Sequence, residues 1–196
     1  MKTFYQDLEL EVKEEVYEPR EDSFLLADAI SELDLKGKKV LDIGTGSGIL
    51  SLVCAREAEH VLGVDINSEA IEIARENAEK NEFNNVTFLK SDLFVNVEEK
   101  FDLIVFNPPY LPEDEENDLQ GSETWNGGEN GRKVIDKFLQ KFPSHLKKGG
   151  EVLLLQSSLS SIEDTFHKLE PDFEPEIMRE KKVPWEKLVV IKASER

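Results

Sequence analysis

The sequence predicts an α/β domain: a doubly wound, mostly parallel sheet of seven strands behind a short N-terminal arm. Three observations predict it. Short apolar runs alternate with amphipathic helical segments along most of the chain. The run at residues 101–106 is almost continuously apolar, as a strand covered on both faces is. The first core strand runs without a gap into Gly44-Thr45-Gly46-Ser47-Gly48, a turn that opens a helix.

Each element follows in order. Leu8, Leu10 and Val12 alternate with acids, the period of a short strand in the arm. Residues 16–23 turn the chain into a helix whose Leu26, Ile30 and Leu33 share a face, with acids in its first turn where the helix dipole favours negative charge. Residues 39–43 read as a buried strand and 49–55 as a mostly apolar helix. Residues 60–64 repeat the strand, Asn67 is placed to cap, and Ile71, Ala74 and Ala78 line one face of the next helix. Asn84-Asn85 marks a turn before a third strand at 86–89, and 101–106 is the fourth. A helix at 134–142, a strand at 151–155, a helix at 162–169 and two closing strands at 176–179 and 188–192 complete the pattern. Residues 111–132 have little apolar periodicity, and so long an irregular stretch inside a compact domain is usually functional or disordered. No repeat or linker divides the chain, so one domain is expected over residues 1–196, with an arm and helix at 1–35 and a core at 36–196.

Composition limits the function. The 196 residues carry 24 basic and 42 acidic side chains, a net charge of −18. Such a surface repels phosphate backbones, which argues against duplex nucleic acid as a direct partner. One cysteine, Cys54, and three scattered histidines, His60, His145 and His167, offer neither a disulfide nor a metal-ligand spacing. No apolar run reaches the roughly 20 residues of a membrane span, and the first residues carry charge where a signal core would be apolar. A cytoplasmic protein with no membrane partner and no metal is expected.

Two constellations carry chemistry. The first is Asp42-Ile43-Gly44-Thr45-Gly46-Ser47-Gly48 at a strand-to-helix turn, where glycines let a ligand approach the main chain. Asp65 ends the next strand, placed to accept hydrogen bonds from both hydroxyls of a ribose, and Asp92 follows the third strand, so three acids are expected around one crevice. The glycine spacing is not that of the dinucleotide fingerprint. An acid at the end of the strand opposes a diphosphate but suits a cationic cofactor such as S-adenosylmethionine; a nicotinamide cofactor is the competing reading.

The second constellation is Asn107-Pro108-Pro109-Tyr110, at the end of the fourth strand. Two prolines hold the backbone extended and leave carbonyls free of local donors. The Asn107 side-chain oxygen and the Pro108 carbonyl form a pair of acceptors for both hydrogens of a planar NH₂ group, with Tyr110 stacking on it or walling it off. No strong base is required, because neutral acceptors stabilise the charge that develops on nitrogen and the proton leaves after transfer.

Together with Tyr17-Glu18-Pro19-Arg20-Glu21-Asp22-Ser23, Ser91-Asp92-Leu93 and Gly127-Gly128-Glu129-Asn130-Gly131-Arg132, these residues resemble the HemK-type (PrmC-like) class I methyltransferases. That family methylates the side-chain amide of the glutamine in the Gly-Gly-Gln loop of translation release factors. The resemblance covers nearly the whole chain and is nearest the short archaeal and eukaryotic branch. It implies a Rossmann-like fold, S-adenosyl-L-methionine as cofactor, a class 1 release factor as substrate and a small zinc-binding activator as partner. By the same resemblance Ser23, Asp42, Gly44, Gly46, Asp65, Asp92, Leu93 and Asn107 hold the cofactor. Asn107, Pro108, Pro109 and Tyr110 hold the glutamine amide, with Asn107, Pro108 and Tyr110 at the reaction centre. Ser23 as a plain helix cap is the other reading of that residue.

Two further functions stand beside this one. Relatives of the motif methylate protein lysine or the exocyclic amine of a base, adenine N6 or guanine N2, and a noncatalytic cofactor-binding subunit is the third reading. The loop between Pro112 and Gly131 is expected to form part of the protein-substrate site, with Glu113, Asp114, Glu115 and Glu116 meeting a basic substrate loop, and a solvated insertion is the other reading. Trp125 stands out as an aromatic amid glycines, costly to expose without purpose.

Overall fold

The structure is a computed structural model that describes residues 1–109 and 131–196. Strands β1 (Lys2–Tyr5) and β2 (Leu8–Glu11) form an antiparallel hairpin apart from the main sheet. Helix α1 (Glu21–Ile30) leads to β3 (Lys39–Ile43), α2 (Ile49–Ala55), β4 (His60–Asp65), α3 (Ser68–Lys80), β5 (Val86–Lys90) and β6 (Phe101–Phe106). Then come α4 (Lys133–Lys141), β7 (Leu146–Ser157), α5 (Ile162–Leu169), β8 (Phe173–Val183) and β9 (Glu186–Glu195).

The seven-stranded sheet has the order β5-β4-β3-β6-β7-β9-β8. Strands β3 to β7 pair in parallel, and β9 runs antiparallel to both β7 and β8. Successive strands step outward in one direction from β3 to β5 and in the other from β6, so the ends of β3 and β6 flank the topological switch point where open sheets bind ligands.

Period-2 alternation divides the core between the two faces. Val40 joins Leu26, Leu52 and Ile71 under α1, α2 and α3, whereas Leu41 and Ile43 join Phe138, Phe142 and Leu169 under α4 and α5. Phe106, Phe138 and Phe142 stack in series on the second face, with centroids 4.7 and 5.3 Å apart. Such contacts tie β6, whose end carries Asn107, rigidly to α4.

The closing strands are longer than their apolar runs predict, because the exposed hairpin of β8 and β9 continues through alternating charges that a search for apolar residues passes over. The arm also contains β1, a strand the sequence did not signal. Its partner β2 is completed on the other side by α3. Asn77 accepts from Glu11 N at 2.8 Å and donates to Glu11 O at 2.9 Å, while Asn81 does the same for Glu9 at 3.1 and 2.9 Å. Two asparagines one helical turn apart thus pair alternate residues of an extended strand. A further Asn77 hydrogen, to Ser47 O at 2.8 Å, fastens the arm and α3 to the glycine turn.

Candidate active site

At the switch point lies a cavity of about 630 Å³, within the range of cofactor sites. Its floor is the turn from β3 into α2. Gly46 and Gly48 take left-handed φ values of +54° and +88°, conformations that L side chains adopt at a cost. A side chain at Gly46 would meet no protein atom within 4 Å, whereas one at Gly48 would press on Ala74 Cβ at 3.1 Å. Glycine at 46 therefore serves the backbone path and the open space, and at 48 the close packing of α2 on α3.

Asp65, at the tip of β4, accepts from Gly46 N through Oδ2 and from Asn67 N through Oδ1, both at 2.9 Å. Each oxygen keeps a lone pair while its direction is fixed. Burial raises the Asp65 carboxyl above its usual range, opposed by these backbone N–H groups. Beyond β5, Leu93 is held at φ +49°, with its carbonyl accepting from Ser91 Oγ at 2.9 Å. Left-handed backbone on a branched residue is strain of the kind that functional loops store.

Of the sequence-derived site residues, Ser23, Gly44, Gly46, Asp65, Asp92, Leu93, Asn107, Pro108 and Pro109 line this one cavity. Tyr110 lies outside the described residues, as do Glu113, Asp114, Glu115, Glu116 and Trp125. Ser23 sits inside the first turn of α1 and not at its cap, which is Arg20.

Asp42 differs from the expectation that three acids share the crevice. It is fully buried and does not line the cavity. Lying within β3, it holds the turn from behind, with Oδ2 accepting from Thr45 Oγ1 and Ser51 Oγ at 2.7 Å each. Burial pushes its carboxyl up to about 6 against the pull of those hydroxyls, and the charge of Asp65 adds to the rise.

Three buried side-chain atoms have no hydrogen-bond partner among the described residues: Asp42 Oδ1, Ser47 Oγ and Asn107 Oδ1. All three belong to the glycine turn or to the Asn-Pro-Pro segment. A buried polar atom without a partner costs about 1–3 kcal/mol, so Ser47 Oγ and Asn107 Oδ1, whose residues both line the cavity, mark a place built for a ligand. A nucleoside cofactor with a cationic amino acid end fits this set of donors and acceptors. Among the described residues, no group of three or more His, Cys, Asp and Glu side chains is placed to hold a metal ion.

The Methyltransferase small domain model matches residues 21–175. The chain belongs to that family. A class I methyltransferase of this kind uses S-adenosylmethionine as its methyl donor. Among relatives, the methyltransferase is 47% identical over 192 residues to MJ0928 of Methanocaldococcus jannaschii, provisionally named a protein N5-glutamine methyltransferase, with 96% of each chain covered. It is 38% identical over 148 residues to human methyltransferase HEMK2, covering 69% of each. Among solved structures it matches the Encephalitozoon cuniculi Mtq2–Trm112 complex, described as responsible for methylation of the eRF1 translation termination factor. That match has a TM-score of 0.76 and 27% identity over 93% of this chain and 99% of the other. Among the described residues, no helix is long and apolar enough to cross a membrane.

Sequence reasoning missed two parts of the site. Lys133 and Lys137, one helical turn apart on α4, bring positive charge to a cavity expected to be lined by acids. Asp22, read as a first-turn acid, is 4% exposed and lines the cavity beside Asn107. A helical spacing of four between the lysines was visible in the sequence, but no local signal aims either of them at β6.

Proposed function

We propose that this methyltransferase transfers a methyl group to the side-chain amide nitrogen of the glutamine in the Gly-Gly-Gln loop of a class 1 translation release factor. One observation carries the reading: Asn107 Oδ1, in a residue that lines the cavity just after β6, is buried and has no hydrogen-bond partner among the described residues. A planar NH₂ group is the donor that such an oxygen and a neighbouring carbonyl suit.

The roles follow. Ser23, Gly44, Gly46, Asp65, Asp92 and Leu93 hold the cofactor, with Asp65 taking the ribose hydroxyls on its two directed oxygens. Asp42 acts from behind the turn and contributes a negative charge beneath a cationic ligand. When bound, S-adenosylmethionine supplies a methyl group on a positively charged sulfur. Asn107 Oδ1 and the Pro108 carbonyl accept the two N–H groups of the glutamine amide and aim its nitrogen at the methyl carbon. Pro109 keeps that segment extended, and Tyr110, outside the described residues, is the sequence's candidate for covering the amide plane. As positive charge grows on the nitrogen the two neutral acceptors would stabilise it; the C–N bond would form as the methyl carbon's bond to sulfur breaks, leaving a neutral thioether, and the amide proton would then depart to water.

Support for the substrate comes from the relatives: an N5-glutamine methyltransferase by name and a termination-factor methyltransferase by structure. The Mtq2 structure is a complex with Trm112, and a small zinc-binding activator is the partner we propose here too. We take residues 1–196 as one catalytic domain acting in the cytoplasm.

The test is incubation of the purified protein, with and without a Trm112-type activator, with labelled S-adenosylmethionine and a Gly-Gly-Gln release factor. Label mapped to that glutamine is the expected result. Label on a lysine, or on an exocyclic base amine when nucleic acid is supplied instead, would replace the substrate assignment. Cofactor binding without transfer in every mixture would make the chain a noncatalytic subunit.

A further inference from the structure

An asparagine side chain has nearly the same shape whichever way its amide is turned, so a site that needs its oxygen must forbid the other orientation. The structure contains a device for this. Asn107 Nδ2 donates to Asp22 Oδ2 at 3.0 Å and to Ser23 Oγ at 3.4 Å, while Oδ1 has no partner among the described residues. The Ser23 hydroxyl donates its own hydrogen to Asp22 Oδ1 at 3.3 Å and so meets Asn107 with a lone pair. Turning the Asn107 amide over would bring its oxygen against Asp22 Oδ2 at the same 3.0 Å. Two acceptors at that distance repel, and the amide hydrogens would then take the place of Oδ1, where they would oppose the hydrogens of a substrate amide.

We infer that Asp22 is a positioning residue: it fixes the orientation of the Asn107 amide so that Oδ1 is the acceptor presented to the substrate. The helix dipole does not account for it. Glu21 and Asp22 both lie in the first turn of α1, yet Glu21 is exposed and Asp22 is 4% exposed. An acid that served the dipole alone would stay in water. The contact joins residues 85 apart in sequence, so the orientation of the acceptor on β6 depends on the docking of α1. The inference rests on the proposed amide-methylating reading for its consequence, though not for its geometry.

Four variants test it: Asp22→Ala, Asp22→Asn, Asn107→Asp and the double exchange Asp22→Asn/Asn107→Asp. Misorientation of the acceptor is expected to lower kcat for the release factor about 10- to 100-fold in the first two, with much smaller changes in S-adenosylmethionine affinity and in the thermal midpoint. The double exchange restores an N–H to oxygen pair across the gap and leaves an oxygen toward the cavity. It is therefore expected to be more active than the product of the two single losses predicts. A readout independent of catalysis is hydrogen exchange of the Asn107 side-chain NH₂ by NMR, expected to be about tenfold slower in the wild type than in Asp22→Ala. Wild-type kcat in both Asp22 variants, strictly multiplicative losses in the double exchange, or equal exchange rates would each overturn the inference. Failure of the wild type to methylate the glutamine would instead count against the substrate assignment, and the exchange measurement would still decide the Asp22 contact.

Discussion

Replacing Asp42 by asparagine should make the ligand-free protein gain stability with rising pH relative to wild type. The buried Asp42 carboxyl titrates near 6, against 3.8 for a free side chain. Between about pH 4 and 6 the folded protein therefore keeps a proton that the unfolded chain has lost, and wild-type stability falls as pH rises through that window. A shift of about 2 pH units corresponds to about 3 kcal/mol, felt in full above the window. Asparagine carries no such penalty. It can keep an oxygen toward Thr45 and Ser51 but turns an NH₂ toward the side where Oδ1 already lacks a partner, at a cost of about 1–2 kcal/mol. The variant should accordingly be more stable than wild type by about 1–2 kcal/mol at pH 7, and less stable near pH 4. Urea unfolding at several pH values from 4 to 7.5 measures the difference, and titrations common to both proteins cancel. A difference that stays flat across this range would refute the claim that Asp42 is charged and unfavourably buried at neutral pH. The same substitution should weaken S-adenosylmethionine binding, an exchange of stability for function typical of binding sites.

Other perturbations probe other parts of the molecule. Asn107→Ala should lower kcat about 10²- to 10³-fold, the loss typical of one preorganised acceptor or donor, with calorimetric cofactor affinity near wild type. Asp65→Ala removes two directed oxygens and should raise the cofactor dissociation constant about 100-fold, read by the same calorimetry. Asn77→Ala breaks the bonds to Glu11 and Ser47 and should cost about 2–4 kcal/mol in denaturant unfolding. Arg132, 4% exposed, donates to Ser160 O and Ser161 O at 2.7 and 2.6 Å. Arg132→Ala takes a donor from both carbonyls, of which Ser160 O keeps Gln156 Nε2, and should lower the thermal midpoint by an amount equivalent to about 2–4 kcal/mol.

Much of the site was legible because it is local in the chain. A strand, a glycine turn and a helix succeed one another within residues 39–55, and backbone geometry alone makes such a run a ligand-approach point. Asp65 and Asn107 end β4 and β6, and parallel pairing with β3 on either side brings those ends together once the sheet is assumed. The same logic fails for Asp42: an acid at the end of its strand is expected to face the crevice, but side chains alternate along a strand and its carboxylate lies behind the turn, against Ser51 of α2.

The chain by itself determined the periodic elements, their parallel order and the two turns that meet at the switch point, since each is written in the spacing of near neighbours and in the allowed angles of glycine and proline. Tertiary structure alone decided that Asn77 closes β2, that Arg132 binds the carbonyls before α5, and that Asp22 turns the amide of Asn107. The reason is that a hydrogen bond depends on separation and angle in space. When its two ends lie 28 to 85 residues apart along the chain, neither end carries a pattern that names the other.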